Sequence, residues 1–212
     1  MNKIAVFGAS GGTGKSFTEL ALKNGYAVKA LVRIPSKLDI KHPSLQVIQG
    51  DVLDQAKVEE TINGTEAVID FLGPATNSPV DLRSTSIRNI LEAMRKNNVR
   101  RLIAQASLPF GVVDAKDQLN LGLQLKMFLA KNLMGKMVQD ARQHADLIKH
   151  TDLDWTIVRA PGLDGHPAQG KYRVGFAGSD LGNSISRPNI ATFILDELKS
   201  ARYIRQMPLV SN

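Results

Sequence analysis

The chain has no cysteine, few aromatic side chains and no apolar run long enough to cross a bilayer. The first absence excludes disulfides and thiolate metal sites, and it fits a cytoplasmic home. The third, with an N-terminus that enters a strand-like run at once, predicts neither a signal peptide nor a membrane partner. The scarcity of aromatics bears on the charge. Lys and Arg outnumber Asp and Glu by 27 to 20, a net charge of +7, which invites a nucleic-acid reading. Yet one Trp, three Tyr and seven Phe in 212 residues make no platform for base stacking. The cations are also spread along the chain, so no nucleic-acid partner is expected. A phosphorylated cofactor or an anionic substrate accounts for part of the excess, and solvated surface for the rest.

What the sequence does have is concentrated at its start. Ile4 to Phe7 is a short apolar run of the buried-strand kind, stopped by Gly8. A glycine-rich turn follows, and then Phe17, Leu20 and Ala21 open a helical pattern that ends before Gly25. Strand, tight turn and helix aim backbone N–H groups and a helix N-terminus at a phosphate. Gly8, Gly11 and Gly14 form G-x-x-G-x-x-G, a variant of the dinucleotide fingerprint. Ala9 to Ser16 also fits a relaxed Walker A, although the strict motif needs glycine at Ala9. Tyr26 to Val32 reads as the second strand, and Arg33 stands at its end, where a cation suits a 2′-phosphate. A Walker A protein needs instead an acid after a later strand, for which Asp70 is the candidate. The dinucleotide reading is the stronger of the two.

Apolar strands alternate with helical stretches along the chain, which predicts βαβ units and a mostly parallel sheet. Further strands are expected at Leu45–Ile48, Glu66–Leu72, Arg101–Ala106 and Trp155–Val158, with a short one in 170–176 and a last one at Met207–Val210. Helices are expected at Gln55–Ile62, at Asp81–Asn97 and over the face made by Met134, Met137, Val138, Ala141, Ala145 and Ile148. A further one follows Ser186, a predicted N-cap with Pro188 in the first turn. Residues 108–124 are ambiguous. Length and the absence of any linker point to one α/β domain over 1–212.

These residues together resemble the atypical short-chain dehydrogenase/reductases, in particular the NAD(P)-binding group of NmrA-like and biliverdin reductase B (flavin reductase)-like proteins. The resemblance rests on Gly8 to Gly14, Leu31–Arg33 with Ser36-Lys37, Gly50–Val52, Asp70–Gly73, Ser107, Leu153–Pro161 and Ile185–Ala191. It implies a doubly wound, Rossmann-like α/β fold and NADP(H) as cofactor. Gly8, Ser10, Gly11, Gly12, Thr13 and Gly14 would then cradle the diphosphate. Arg33 and Lys37 would hold the 2′-phosphate, Asp51 and Val52 the adenine, and Phe71, Leu72 and Gly73 the ribose wall. Ser107, Arg159, Ala160 and Pro161 would flank the nicotinamide, with Ser107 the catalytic candidate. A substrate-side region is expected within about 108–136 and 161–186.

The chain departs from the family's better-known members, which pair a Tyr-x-x-x-Lys with a serine. None of Tyr26, Tyr172 and Tyr203 has a lysine four residues on. The resemblance therefore implies an NADPH-dependent reductase that passes hydride to a flat conjugated acceptor such as a flavin, quinone or tetrapyrrole-like compound, with the proton from water. The alternative is a non-catalytic NADP(H) sensor of NmrA type. The protein is expected to be a monomer or homodimer without a metal site. His144, His150 and His166 are expected at the surface, and Lys126, Lys131 and Lys136 solvated. Met127, Phe128, Met134 and Met137 are expected to pack in the core, and Arg187 to serve the helix start.

Overall fold

A computed structural model describes residues 3–73, 78–167, 170–178 and 181–212. β1 (Lys3–Phe7) leads through the glycine turn into α1 (Gly12–Lys23). There follow β2 (Ala27–Val32), β3 (Leu45–Gln49), α2 (Gln55–Ile62), β4 (Ala67–Asp70), α3 (Leu82–Lys96) and β5 (Arg101–Ser107). The second half contributes α4 (Leu121–Lys149), β6 (Asp154–Ala160), β7 (Leu163–Asp164), β8 (Arg173–Gly175), β9 (Ile185–Ser186), α5 (Arg187–Ser200) and β10 (Leu209–Ser211).

Eight strands make one sheet in the order β3-β2-β1-β4-β5-β6-β10-β8, with β7 and β9 paired separately. Its pairs are parallel except at the edge, where β8 runs antiparallel to β10. The order reverses between β1 and β4, the switch point beside which doubly wound sheets open a crevice at their carboxyl ends. Continuous apolar strands follow from burial on both faces. Phe7, Val68, Leu102 and Ile157 pack toward α2, α3 and α4, while Val6, Ile69, Ile103 and Val158 pack toward α1 and α5. Neighbouring residues of one strand thus serve opposite layers.

Three expectations need correction, and the ambiguous stretch takes a definite form. β4 ends at Asp70, not Leu72. Phe71 N still donates to Phe7 O at 3.0 Å, but the Asp70 carboxylate then accepts from Leu72 N at 2.8 Å and turns the chain out of the sheet. The ambiguous stretch holds a 3-10 turn at Leu108–Phe110 and a loop, and α4 starts at Leu121, capped by the Asn120 side chain on Leu123 N. Non-helical angles at Met134 divide α4, and the first buried residue of its core-facing side is Val138. Met127 is only half-buried, and Phe128 and Met134 are exposed rather than in the core. Finally, His144 is fully buried: its position on α4 faces the end of β4, where Asp70 receives it.

Other expectations meet their residues in the structure. Ser186 caps α5 by accepting from Asn189 N, with Pro188 in the first turn. Lys126, Lys131 and Lys136 are exposed, as are His150 and His166. Among the described residues no helix is long and apolar enough to cross a membrane, and no cluster of His, Asp and Glu could hold a metal. The expected substrate-side region includes positions 168, 169, 179 and 180, which lie outside the described residues.

Candidate functional site

The site begins with the clash that two glycines avoid. Gly8 has φ +77°, and a Cβ there would stand 2.9 Å from the carbonyl carbon and oxygen of Phe71. A Cβ on Gly14 would stand 2.2 Å from Gly8 O. The exit of β4 therefore crosses directly over the turn, and the start of α1 lies against it. Gly11 N closes the turn on Gly8 O at 3.0 Å. Gly11 is also the N-cap of α1. No side chain caps that helix, and its first turn carries no acid. Its leading amides are left open for an anion, and the helix dipole favours one there.

A groove runs along this edge in two chambers that share Gly11 and the Phe71–Gly73 segment. The outer chamber, about 370 Å³, has Gly8 and Ser10 on one side, Arg33 and Lys37 after β2, and Asp51 and Val52 after β3. The inner chamber, about 340 Å³, has Gly12, Thr13 and Gly14 on one wall. Ser107 and Ala160, the last residues of β5 and β6, form the opposite wall. Arg33 and Lys37 are exposed, and neither side chain has a hydrogen bond or ion pair among the described residues. The Asp51 carboxylate accepts from Leu53 N at 2.9 Å, which fixes the turn after β3.

Arg159 and Pro161 are not brought to the groove. Alternation along β6 sends Arg159 away from the wall that Ala160 supplies. Its side chain is wholly buried. Nε donates to Met207 O at 2.7 Å, Nη1 to Val112 O at 3.3 Å, and the guanidinium pairs with both carboxylate oxygens of Asp117. Burial raises the Asp117 pKa, but the Arg159 guanidinium and the amides of Asp114 and Ala177 outweigh it and hold the group below its ordinary range. Arg159 thus ties the loop after β5 to the sheet.

The Walker A alternative fails on the same geometry. Lys15 lines neither chamber and pairs with Asp39 at 2.5 Å. Asp70 gives its carboxylate to Leu72 N and, at 2.8 Å, to His144 Nε2. No tyrosine lines the groove either. Tyr26 is buried at the entry to β2, Tyr203 stacks near Phe193, and the Tyr172 hydroxyl donates to Asp196. Burial and that carboxylate push the Tyr172 phenol up to about 12.

Two arginines of the inner chamber are not among the expected site residues. Arg187, expected to serve only the start of α5, lays its Cδ and Nε where a Cβ on Gly12 would sit, 2.6 and 2.8 Å away, and donates from Nη1 to Asp164 O at 3.0 Å. Arg83, on the first turn of α3, is 5% exposed and also reaches the inner chamber. Arg187 lies in the Ile185–Ala191 stretch, where it is expected only at the helix start, and Arg83 belongs to no motif; the first is placed by the β7–β9 pair and the second by the α3–α4 packing, both long-range features.

The family described as NAD(P)H-binding matches residues 8–201. The chain is 30% identical over 205 residues to an uncharacterized chloroplastic protein of Arabidopsis thaliana, covering 92% of this chain and 71% of that one. It is 31% identical over 110 residues to the uronate dehydrogenase of Pseudomonas putida, covering 50% of this chain and 41% of the enzyme. Among solved structures, a short-chain dehydrogenase/reductase of Veillonella parvula in complex with NADP superposes with a TM-score of 0.78 at 22% identity, over 100% of this chain and 94% of that one. The Lactococcus lactis oxidoreductase ylbE does so with a TM-score of 0.80 at 19% identity, over 99% and 90%. With its glycine turn, its switch-point groove and a family match across most of its length, the chain belongs to the NAD(P)H-binding family.

Proposed function

We propose that the chain is an NADPH-dependent reductase that passes hydride to a flat conjugated acceptor, a flavin, quinone or tetrapyrrole-like compound. One observation carries this reading: two uncompensated cations, Arg33 and Lys37, close the outer chamber, while among the described residues the inner chamber holds no tyrosine, histidine or carboxylate. The first half speaks for a cofactor with an extra phosphate. A planar guanidinium matches a phosphate with two parallel hydrogen bonds. The second half speaks against alcohol oxidation with a phenol as acid.

NADPH, when bound, supplies the hydride. The chain's residues hold and orient. The open amides of Gly12 and Thr13 and the α1 dipole take the diphosphate, Asp51 and Val52 take the adenine, and Phe71 to Gly73 form the ribose wall. The Ser107 hydroxyl is left to donate to the carboxamide or to the acceptor. Side chains of Leu72, Phe110 and Leu163 give the inner chamber an apolar surface, against which a conjugated ring packs by shedding water. The proton that completes reduction comes from solvent. Phe110, Gly162 and Leu163 border this end and are assigned to the acceptor side.

Steady-state oxidation of NADPH against a panel of flavins and quinones tests the proposal. Tight NADPH binding without turnover of any acceptor would favour the second reading, an NADP(H) sensor. The inner chamber is what favours that reading, since among the described residues no side chain there other than hydroxyls moves a proton. A redox sensor must bind the oxidised and reduced cofactors with different affinity, because a ligand shifts a state only through differential binding.

A further inference from the structure

Among the described residues, the inner chamber is lined by two arginines and no acid. Arg187 lies against Gly12, at the diphosphate end. Arg83 stands beside Gln105, at the acceptor end, and it is in an unusual state for a buried cation. Its Nη2 donates to Gln105 O at 2.9 Å. Its Nε is shut off from solvent and has no partner. It makes no ion pair among the described residues, although two carboxylates are near. Both are committed elsewhere. Asp140 accepts from the backbone amides of Arg83 at 3.1 Å and Ser84 at 2.9 Å, which caps the start of α3. Asp70 is held by Leu72 N and His144.

Burying a charge without a bonded counter-ion is costly, and folds retain such a group where something else satisfies it. Arginine stays protonated in such a place, so deprotonation is no escape. The fork of its N–H groups fits one partner best, a planar oxyanion. We propose that Arg83 binds a carboxylate of the acceptor in the inner chamber, so that the substrate class is conjugated acids rather than neutral rings. This rests on the reductase reading for the word acceptor; the anion site itself does not. The carboxylate is bound and makes or breaks no bond. It fixes the ring's register against the hydride donor, and Ser107, two residues past Gln105 on β5, stands on the same wall.

Calorimetry of the NADP⁺-saturated protein with 2-naphthoate and with 2-naphthamide tests it without turnover. The acid should bind at least tenfold more tightly than the amide. Arg83→Met should abolish that preference and leave NADP⁺ affinity within about twofold, while Arg83→Lys, which keeps charge but loses the fork, should fall between. Equal binding of acid and amide to the unaltered protein would overturn the proposal, and that result needs no variant to fold. So would an Arg83→Met protein that loses NADP⁺ as severely as naphthoate, since Arg83 would then read the diphosphate. Loss of the preference in Arg187→Met but not in Arg83→Met would overturn it too. A chain that binds NADP⁺ and never reduces an acceptor would still show the preference, so failure of the reductase reading is distinguishable.

Discussion

His144 Nε2 lies 2.8 Å from Asp70 Oδ2, with both side chains sealed from solvent, and this contact fastens the C-terminal part of α4 to the end of β4. Burial pushes the imidazole below its ordinary pKa, aided by the nearby Arg83 cation and opposed by Asp70 and Asp140. The unfolded chain therefore takes up a proton near the ordinary value of about 6.5 that the native protein declines. Stability contributed by this group is present above that pH and is lost as pH falls through it.

Denaturant midpoints between pH 7.5 and 5.5 should accordingly drop with acid, and His144→Gln should flatten the slope. An unchanged slope in the variant would mean that His144 is already charged in the native state. Asp70→Ala leaves His144 and Leu72 N without their acceptor and should destabilise by about 1–3 kcal/mol, as expected for a stranded buried donor.

The glycine turn makes a sharper comparison. Gly8→Ala and Gly14→Ala each drive a Cβ into backbone, at Phe71 and at Gly8 respectively. Gly25 has φ +83° but open space around its Cβ. Gly25→Ala should cost only the left-handed strain, about 1–2 kcal/mol, and leave NADPH binding intact. The other two should lose cofactor binding outright. Fluorescence titration with NADPH separates the three, and equal affinities would show that the turn does not cradle the diphosphate.

Much of this arrangement could be read along the chain, because it is local. The strand–glycine–helix start, the cation at the end of β2 and the Ser186 cap each need only a few consecutive residues. Side chains whose direction depends on remote partners could not be read. Arg159 sits among residues that do reach the groove, yet Asp117 and Met207 O draw it into the core. His144 looks like a surface residue until α4 is laid on Asp70. Arg83 occupies the first turn of a helix with no motif around it, and the carboxylate of Asp140, 57 positions away, sets it in place.

Arg159→Met should therefore act on stability and not on cofactor choice. It strips a buried carboxylate of its partner, a change that costs about 3–5 kcal/mol. The ratio of NADPH to NADH affinity should stay as it is. A shift in that ratio would return Arg159 to the cofactor site.

Ser107→Ala removes the one hydroxyl at the end of β5 that the inner chamber offers. Loss of one neutral hydrogen bond, about 0.5–1.5 kcal/mol, should lower kcat/KM roughly threefold to tenfold. NADPH affinity should change less. A variant as active as the native protein would make Ser107 a bystander.

The account depends most on the outer chamber reading an extra phosphate. Calorimetric titration of NADPH and NADH into the native protein and into Arg33→Ala tests that directly. NADPH should bind the native protein more tightly, and the substitution should weaken NADPH by about 1.5–3 kcal/mol, the worth of a charged hydrogen bond, while leaving NADH nearly unchanged. Equal losses for both cofactors, or no native preference for NADPH, would contradict it.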